Sequence, residues 1–165
     1  MAARDLARFK DVPKHLLRPV PAWVYTPFLQ RAAGHIARKH PRLFRRLGPH
    51  SHKNFLIQFT NLPFVLLLQP HPGHVRIEVF RDARHVEYDA KISGSFLDML
   101  RLLDGRMDGD AIFFSRALRV EGDTEAVVSL RNALDDVEGS IAGDVADLFG
   151  APGRAGLSFL RRIEA

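Results

Sequence analysis

The chain has 165 residues, enough for one domain with a sizeable core. It contains no cysteine, which excludes disulfides, thiol catalysis and thiolate metal sites and fits a reducing cytoplasm. The net charge of +5 is unevenly spread: residues 1–53 carry 12 Lys and Arg against 2 acids, and residues 54–165 carry 12 basic and 17 acidic residues. No run reaches the roughly 18–20 apolar residues that span a bilayer, and the opening MAARDLARFKD lacks the apolar centre of a secretory signal.

Residues 1–22 include Pro13, Pro19 and Pro21 and show weak helical periodicity around Leu6 and Phe9, which reads as an arm that orders against a partner. Trp23 and Tyr25 follow, and Pro27 suits the first turn of a helix. From Phe28 to His40 the apolar positions are Phe28, Leu29, Ala32, Ile36 and Ala37, opposite Arg31, Arg38 and Lys39. Pro41 interrupts the helix. Leu43, Phe44 and Leu47 then continue an apolar stripe beside Arg42, Arg45 and Arg46, until Gly48-Pro49 ends the unit. Two readings stand side by side for this segment. Its charges form a solvated face, or they meet anionic lipid headgroups with Trp23 and Tyr25 at the interface. The two are compatible.

A mildly acidic body begins near Asn54. Phe64 to Leu68 is a continuous apolar run between Pro63 and Pro70, the pattern of a strand covered on both faces. Val75, Ile77 and Val79 alternate with polar residues, as do Val86, Tyr88, Ala90 and Ile92. Turns at residues 71–73 and 82–84 make these three strands an antiparallel meander. Ser95 caps a helix with Asp98 three residues on, and its apolar positions are Phe96, Leu97, Leu100 and Leu103. Gly105 fits the position just past that helix. Met107 to Asp110 reads as a turn, Ala111 to Phe114 as an apolar cluster, and Leu118 with Val120 as a short strand. Glu121-Gly122-Asp123 leads into a second helix with the stripe Val127, Leu130, Leu134 and Val137. Residues 144–149 form a helical turn, residues 150–153 break it, and Leu157, Phe159, Leu160 and Ile163 make a terminal apolar segment. The division is 1–53 basic arm and amphipathic helices, 54–149 body, and 150–165 packing on the body. The fold class is α+β: about five strands, mostly antiparallel, with helices on one face.

Chemistry is weakly signalled. His50-Ser51-His52 and His71-Pro72-Gly73-His74 have no acidic or Cys partners at a metal-ligand spacing. Asp108 and Asp110 flank a glycine, as turn residues do, and Ser115 lacks a strand–Ser–helix elbow. Ser115-Arg116 reads as local hydrogen bonding, with a polar head group at a cavity mouth as the alternative role for Arg116. There is no P-loop or dinucleotide fingerprint, and the aromatics are not interleaved with Lys and Arg as nucleic-acid binders require. The expectation is no catalytic residue, no metal, no cofactor and no nucleic acid.

The run from Ile92 to Asp136, with DGDAIFFSR, EGDTE and LRNALDD in that order, resembles the sterol-carrier-protein type of lipid-binding domain. Within that superfamily it is most similar to the accessory factors of anaerobic ubiquinone biosynthesis, with looser similarity upstream to Asn54. The resemblance implies an apolar cavity between sheet and helices. Expected lining residues are Phe64, Leu66, Leu68, Ile77, Val79, Phe96, Leu100, Leu103, Phe113, Phe114, Leu130 and Leu134. It also implies a noncatalytic protein that holds isoprenoid quinone precursors and works with iron–sulfur, peptidase-family-like hydroxylase subunits. Such a protein would be cytoplasmic and peripheral at the inner face of the membrane, touching it through Trp23, Tyr25, Arg31, Arg38, Lys39, Arg42, Arg45 and Arg46. A second reading, from another class, is an interaction module with a self-filled interior that docks a partner through its basic arm.

Overall fold

The computed structural model describes residues 20–104 and 116–164. Gly105, the turn at 107–110, the cluster at 111–114 and the arm up to Pro19 lie outside the described residues. A short 3-10 turn, Ala22–Val24, leads into helices α1 (Thr26–Lys39) and α2 (Pro41–Leu47), and a second 3-10 turn spans Gly48–His52. Strands β1 (Phe55–Phe59), β2 (Val65–His71), β3 (His74–Phe80) and β4 (Ala90–Gly94) follow. Then come α3 (Phe96–Asp104), β5 (Arg119–Gly122), α4 (Thr124–Asp135), α5 (Ile141–Leu148) and α6 (Gly150–Glu164).

The sheet runs in the order β3-β2-β1-β4-β5. It is antiparallel except between β1 and β4, which are parallel. The alternating pattern at Val75–Val79 and the turn at Pro72-Gly73 form the expected hairpin, closed at the pair His71–His74, with Gly73 at φ +74 as that turn demands. The meander stops there. The strand expected from Val86 begins only at Ala90 and pairs with β1, on the far side of the sheet from β3. Asn54 explains the register: its carbonyl accepts from the amides of Asp89 and Ala90, and its own amide donates to the Asp89 carboxylate at 2.7 Å. The first residues of β1 and β4 are thereby tied side by side.

Phe55, Ile57 and Phe59 of β1 share one face with Leu66, Leu68, Ile77, Val79 and Ile92, by alternation and register. The helices cover that face. Ile36 of α1, Leu43, Phe44 and Leu47 of α2, Met99 of α3, and Val127, Leu130 and Ala133 of α4 join Phe55, Ala90 and Ile92 in one core. Phe55 and Leu47 are almost wholly buried, each contributing about 1.5–3 kcal/mol. Helices from the basic segment therefore belong to the same packed unit as the sheet.

Helix α3 is turned differently from its expected stripe. Met99 and Leu102 pack on the main core, Leu100 joins Ala142, Ala146 and Leu157 in a smaller cluster, and Leu103 is exposed. Asp98, Arg101 and Asp104 fall on one side of FLDMLRLLD, and the apolar arc opposite them, from Leu102 round to Leu100, is wide enough to serve two clusters at once. The cap is as expected: the Asp98 amide donates to Ser95 Oγ at 3.2 Å, and Ser95 Oγ donates to the Asp98 carboxylate at 2.5 Å.

The break at residues 150–153 is also where a helix starts. Gly150 reverses the chain at φ +69, and Pro152 lies within the first turn of α6, where its missing N–H costs nothing. Gly153 presses on α5 so closely that a β-carbon there would lie 2.2 Å from the Ala146 carbonyl oxygen.

Candidate functional site

One end of the sheet leaves apolar side chains half covered on the helix side. Ile57, Leu68, Ile77 and Val79 are intermediate in exposure, whereas Leu66 between them is buried. Aromatic rings extend this strip. Tyr25 lies 4.9 Å from Phe64, Phe64 lies 5.9 Å from Phe59, and Phe59 lies 6.1 Å from Phe96 (ring centroids). All four rings are partly exposed. Such offset and edge contacts are favourable for aromatic quadrupoles, so the row is stable without being sealed. At its rim the amide of Phe96 donates to Asn61 Oδ1 at 2.9 Å, which fixes the start of α3 against the β1–β2 loop.

The strip thus gathers Phe64, Leu66, Leu68, Ile77, Val79 and Phe96 of the expected lining. Leu130 and Leu134 of α4 sit in the main core, Leu100 packs against α5 and α6, and Leu103 faces outward. Phe113 and Phe114 lie outside the described residues. Tyr25, expected at a membrane surface, joins the strip instead, and so do Ile57 and Phe59, for which the alternation Phe55-Ile57-Phe59 is the signal.

The basic residues divide into two sets. Lys39 and His40 both bind the Asp144 carboxylate, His40 Nε2 at 2.6 Å, and Arg46 Nε binds Asp136 at 2.7 Å. Arg31, Arg38, Arg42 and Arg45 are exposed and have no ion-pair partner among the described residues. Burial pushes the Asp144 carboxyl up, yet the hydrogen bonds from Lys39 and His40 outweigh it and leave it below the usual carboxylate value. Trp23 is 72% exposed, and Phe28, 57% exposed, stands 6.5 Å from Phe149. Tyr25, by contrast, is held against Phe64.

The EGDTE stretch does architectural work. Gly122 has φ +80, and the Asp123 amide donates to the Asp89 carbonyl at 2.9 Å. Asp123 caps α4 by accepting from the Ala126 amide at 3.0 Å and also binds Lys53. The Lys53 bond, then the amide bond, hold its carboxyl below the ordinary value, and the same pairing raises Lys53. Glu121 is lowered by its hydrogen bond from Lys91 across the β4–β5 pair. Arg116 is exposed at φ +61. Among the described residues no cluster of three or more His, Asp or Glu could hold a metal; His52 and His71 meet as a pair, Nδ1 to Nδ1 at 3.1 Å.

The strip is thus a half-open apolar surface between sheet and helices. The profile of the SCP-2 sterol transfer family matches residues 34–135. The chain belongs to that family. As an SCP-2 domain it carries a lipid-binding fold, and one solved structure supports the fold. A structure titled UbiJ-SCP2 ubiquinone synthesis protein superposes with a TM-score of 0.54 at 17% identity, over 68% of this chain and 89% of that one. Sterol carrier protein 2 from Yarrowia lipolytica in its apo form gives 0.47 at 10% identity, over 66% and 84%. Another sterol carrier protein 2 crystal structure gives 0.47 at 15%, over 67% and 98%. No curated protein matches the sequence significantly. In this SCP-2 domain no helix among the described residues is long and apolar enough to cross a membrane.

Proposed function

We propose that this SCP-2 domain is a noncatalytic accessory protein that holds isoprenoid quinones or their precursors by the tail and assists oxygen-independent ubiquinone biosynthesis. The observation that carries the reading is the strip of Phe59, Phe64, Phe96 and Tyr25 beside Ile77 and Val79, apolar but only partly covered. Burying an isoprenoid tail there gains about 0.8 kcal/mol per carbon group, so one five-carbon unit contributes a few kcal/mol before costs. Affinity then needs no specific head-group chemistry, and selectivity among long apolar ligands is loose.

Support for the pathway comes from the run at residues 92–136, which resembles the anaerobic ubiquinone accessory factors. The partners are hydroxylase subunits, and since the chain has no cysteine, an iron–sulfur cluster bound by thiolates would sit in them. Loading takes place at the cytoplasmic membrane surface, which the exposed Trp23, Arg31 and Arg42 meet by shallow insertion and charge attraction.

Mass spectrometry of organic extracts tests this reading. Protein purified from cells grown without oxygen should carry isoprenoid quinones or precursors at a defined ratio to protein. Clean extracts would favour the other reading, an interaction module with a self-filled interior that docks a partner through its basic segment.

A further inference from the structure

A second concavity lies at the other end of α1, away from the aromatic row. It has a volume of about 430 Å³ and is walled by α1, α2 and the β2–β3 turn. That size is within the range of small-ligand sites. Gln30 lines it on the β3 side. Its side-chain amide donates to the Val75 carbonyl at 2.6 Å and accepts from the Ile77 amide at 2.7 Å, which completes the edge of β3 and clamps α1 alongside it.

The lining has an unusual balance. Ala37, Pro41, Phe44 and Val75 supply apolar walls, while Arg38, Arg45 and His74 supply donors, and no lining residue is a carboxylate. Arg38 and Arg45 have no ion-pair partner among the described residues, although the nearby Lys39 and Arg46 both have one. Arg38 and Arg45, on consecutive helices, thus line one partly apolar space, and neither is matched by a carboxylate among the described residues. Gly34 keeps the wall low: a β-carbon there would lie 3.5 Å from Arg38 Nη1, so the guanidinium lies over that glycine.

We propose that this cavity binds the phosphate of a small amphiphile, the phosphate between Arg38 and Arg45 and the first carbons of its stem on Phe44 and Val75. A planar guanidinium presents paired N–H donors that fit phosphate oxygens, and two of them match a phosphate monoester. His74 adds a further ring nitrogen at the rim. The proposal goes beyond the quinone reading and does not depend on it, because a quinone carries no phosphate and its tail occupies the separate strip.

The test is calorimetric titration of the full chain with octyl phosphate below its micelle concentration, octanol and inorganic phosphate. Octyl phosphate should bind saturably at one per chain, at least about tenfold more tightly than either of the others. The double variant Arg38→Gln, Arg45→Gln should lose at least about tenfold of that affinity. Gly34→Leu, which improves helix propensity and leaves every charge in place, should block the cavity while the thermal midpoint is kept. Octanol binding equally well would reduce the cavity to an apolar groove, and inorganic phosphate binding equally well would reduce it to a surface ion site. Either result, absence of binding, or undiminished binding in the double arginine variant, overturns the proposal. Quinone recovery in organic extracts is unaffected by any of these outcomes.

Discussion

Arg161 grips the buried carboxylate of Asp104 through two nitrogens, Nε to Oδ2 at 3.0 Å and Nη2 to Oδ1 at 2.5 Å. Asp104 ends α3 and is 3% exposed; Arg161 lies near the end of α6. Ser140, which caps α5, donates to the same carboxylate at 2.5 Å. Three helices meet at one charge. Arg161→Leu should cost about 3 kcal/mol, the lower end for breaking a buried pair, since the arginine is a quarter exposed. Urea unfolding measures the loss, and hydrogen exchange should show α6 losing protection before the sheet. An unchanged midpoint would make the pair incidental.

Gly122 and Gly139 form a matched test of close packing. Both have positive φ, +80 and +94, but a β-carbon at Gly122 would lie 2.5 Å from the Asp89 carbonyl oxygen, whereas Gly139 has open space. Gly139→Ala should show only the backbone term, on the order of 1 kcal/mol, and Gly122→Ala that term plus about 1–2 kcal/mol for displacing the start of β4. Equal losses in denaturant would mean that the β5 turn has room to shift.

Acid sensitivity should trace in part to Asp144. Its folded-state carboxyl is below its unfolded value, so its contribution is present above about pH 4 and is lost as pH falls through the folded value. Asp144→Asn should lower stability at pH 7 and flatten the decline between about pH 5 and pH 3. Parallel stability curves for the two proteins would exclude this origin.

Liposome flotation addresses the basic surface. Arg31 and Arg42 are exposed and without ion-pair partners among the described residues, whereas the charge of Arg46 is matched by Asp136. Changing Arg31 and Arg42 to Glu should weaken binding to anionic vesicles more than Arg46→Glu does. All binding should fall with added salt, since screening acts over about 8 Å at physiological ionic strength. Equal flotation with neutral lipid, or no loss in the double variant, would leave these arginines as a solvated face.

Much of this architecture is legible in the sequence where local chemistry is strong. Ser95 with Asp98, the Pro72-Gly73 turn and the alternation of β3 each specify their own conformation, and the structure keeps them. What hides is long-range choice. Residues 82–84 look like another hairpin turn into a strand from Val86, yet the strand starts at Ala90 and runs parallel to β1, tied at its start by the bonds of Asn54 with Asp89 and Ala90. Helix α3 has a wide apolar arc, and which part of it meets the main core is set by where Met99 and Leu102 find partners, leaving Leu100 to the smaller cluster. The motif that pointed to the family, EGDTE, turns out to hold the fold: Gly122 makes the turn and Asp123 caps α4. The apolar strip is half legible, because Ile77 and Val79 follow from alternation and Phe64 from the apolar run it opens, whereas the Tyr25–Phe64 contact joins residues on separate elements.

The most direct test of the central claim is equilibrium binding of quinones with increasing numbers of isoprene units, followed by quenching of the single tryptophan, Trp23. If the tail is buried on the strip of Phe59, Phe64, Phe96 and Tyr25, affinity should rise by at least about tenfold per added unit until the strip is filled. Phe64→Ser should blunt that rise, and a tail-less quinone should bind weakly. Affinity independent of tail length, or no saturable binding at any length, would contradict the account.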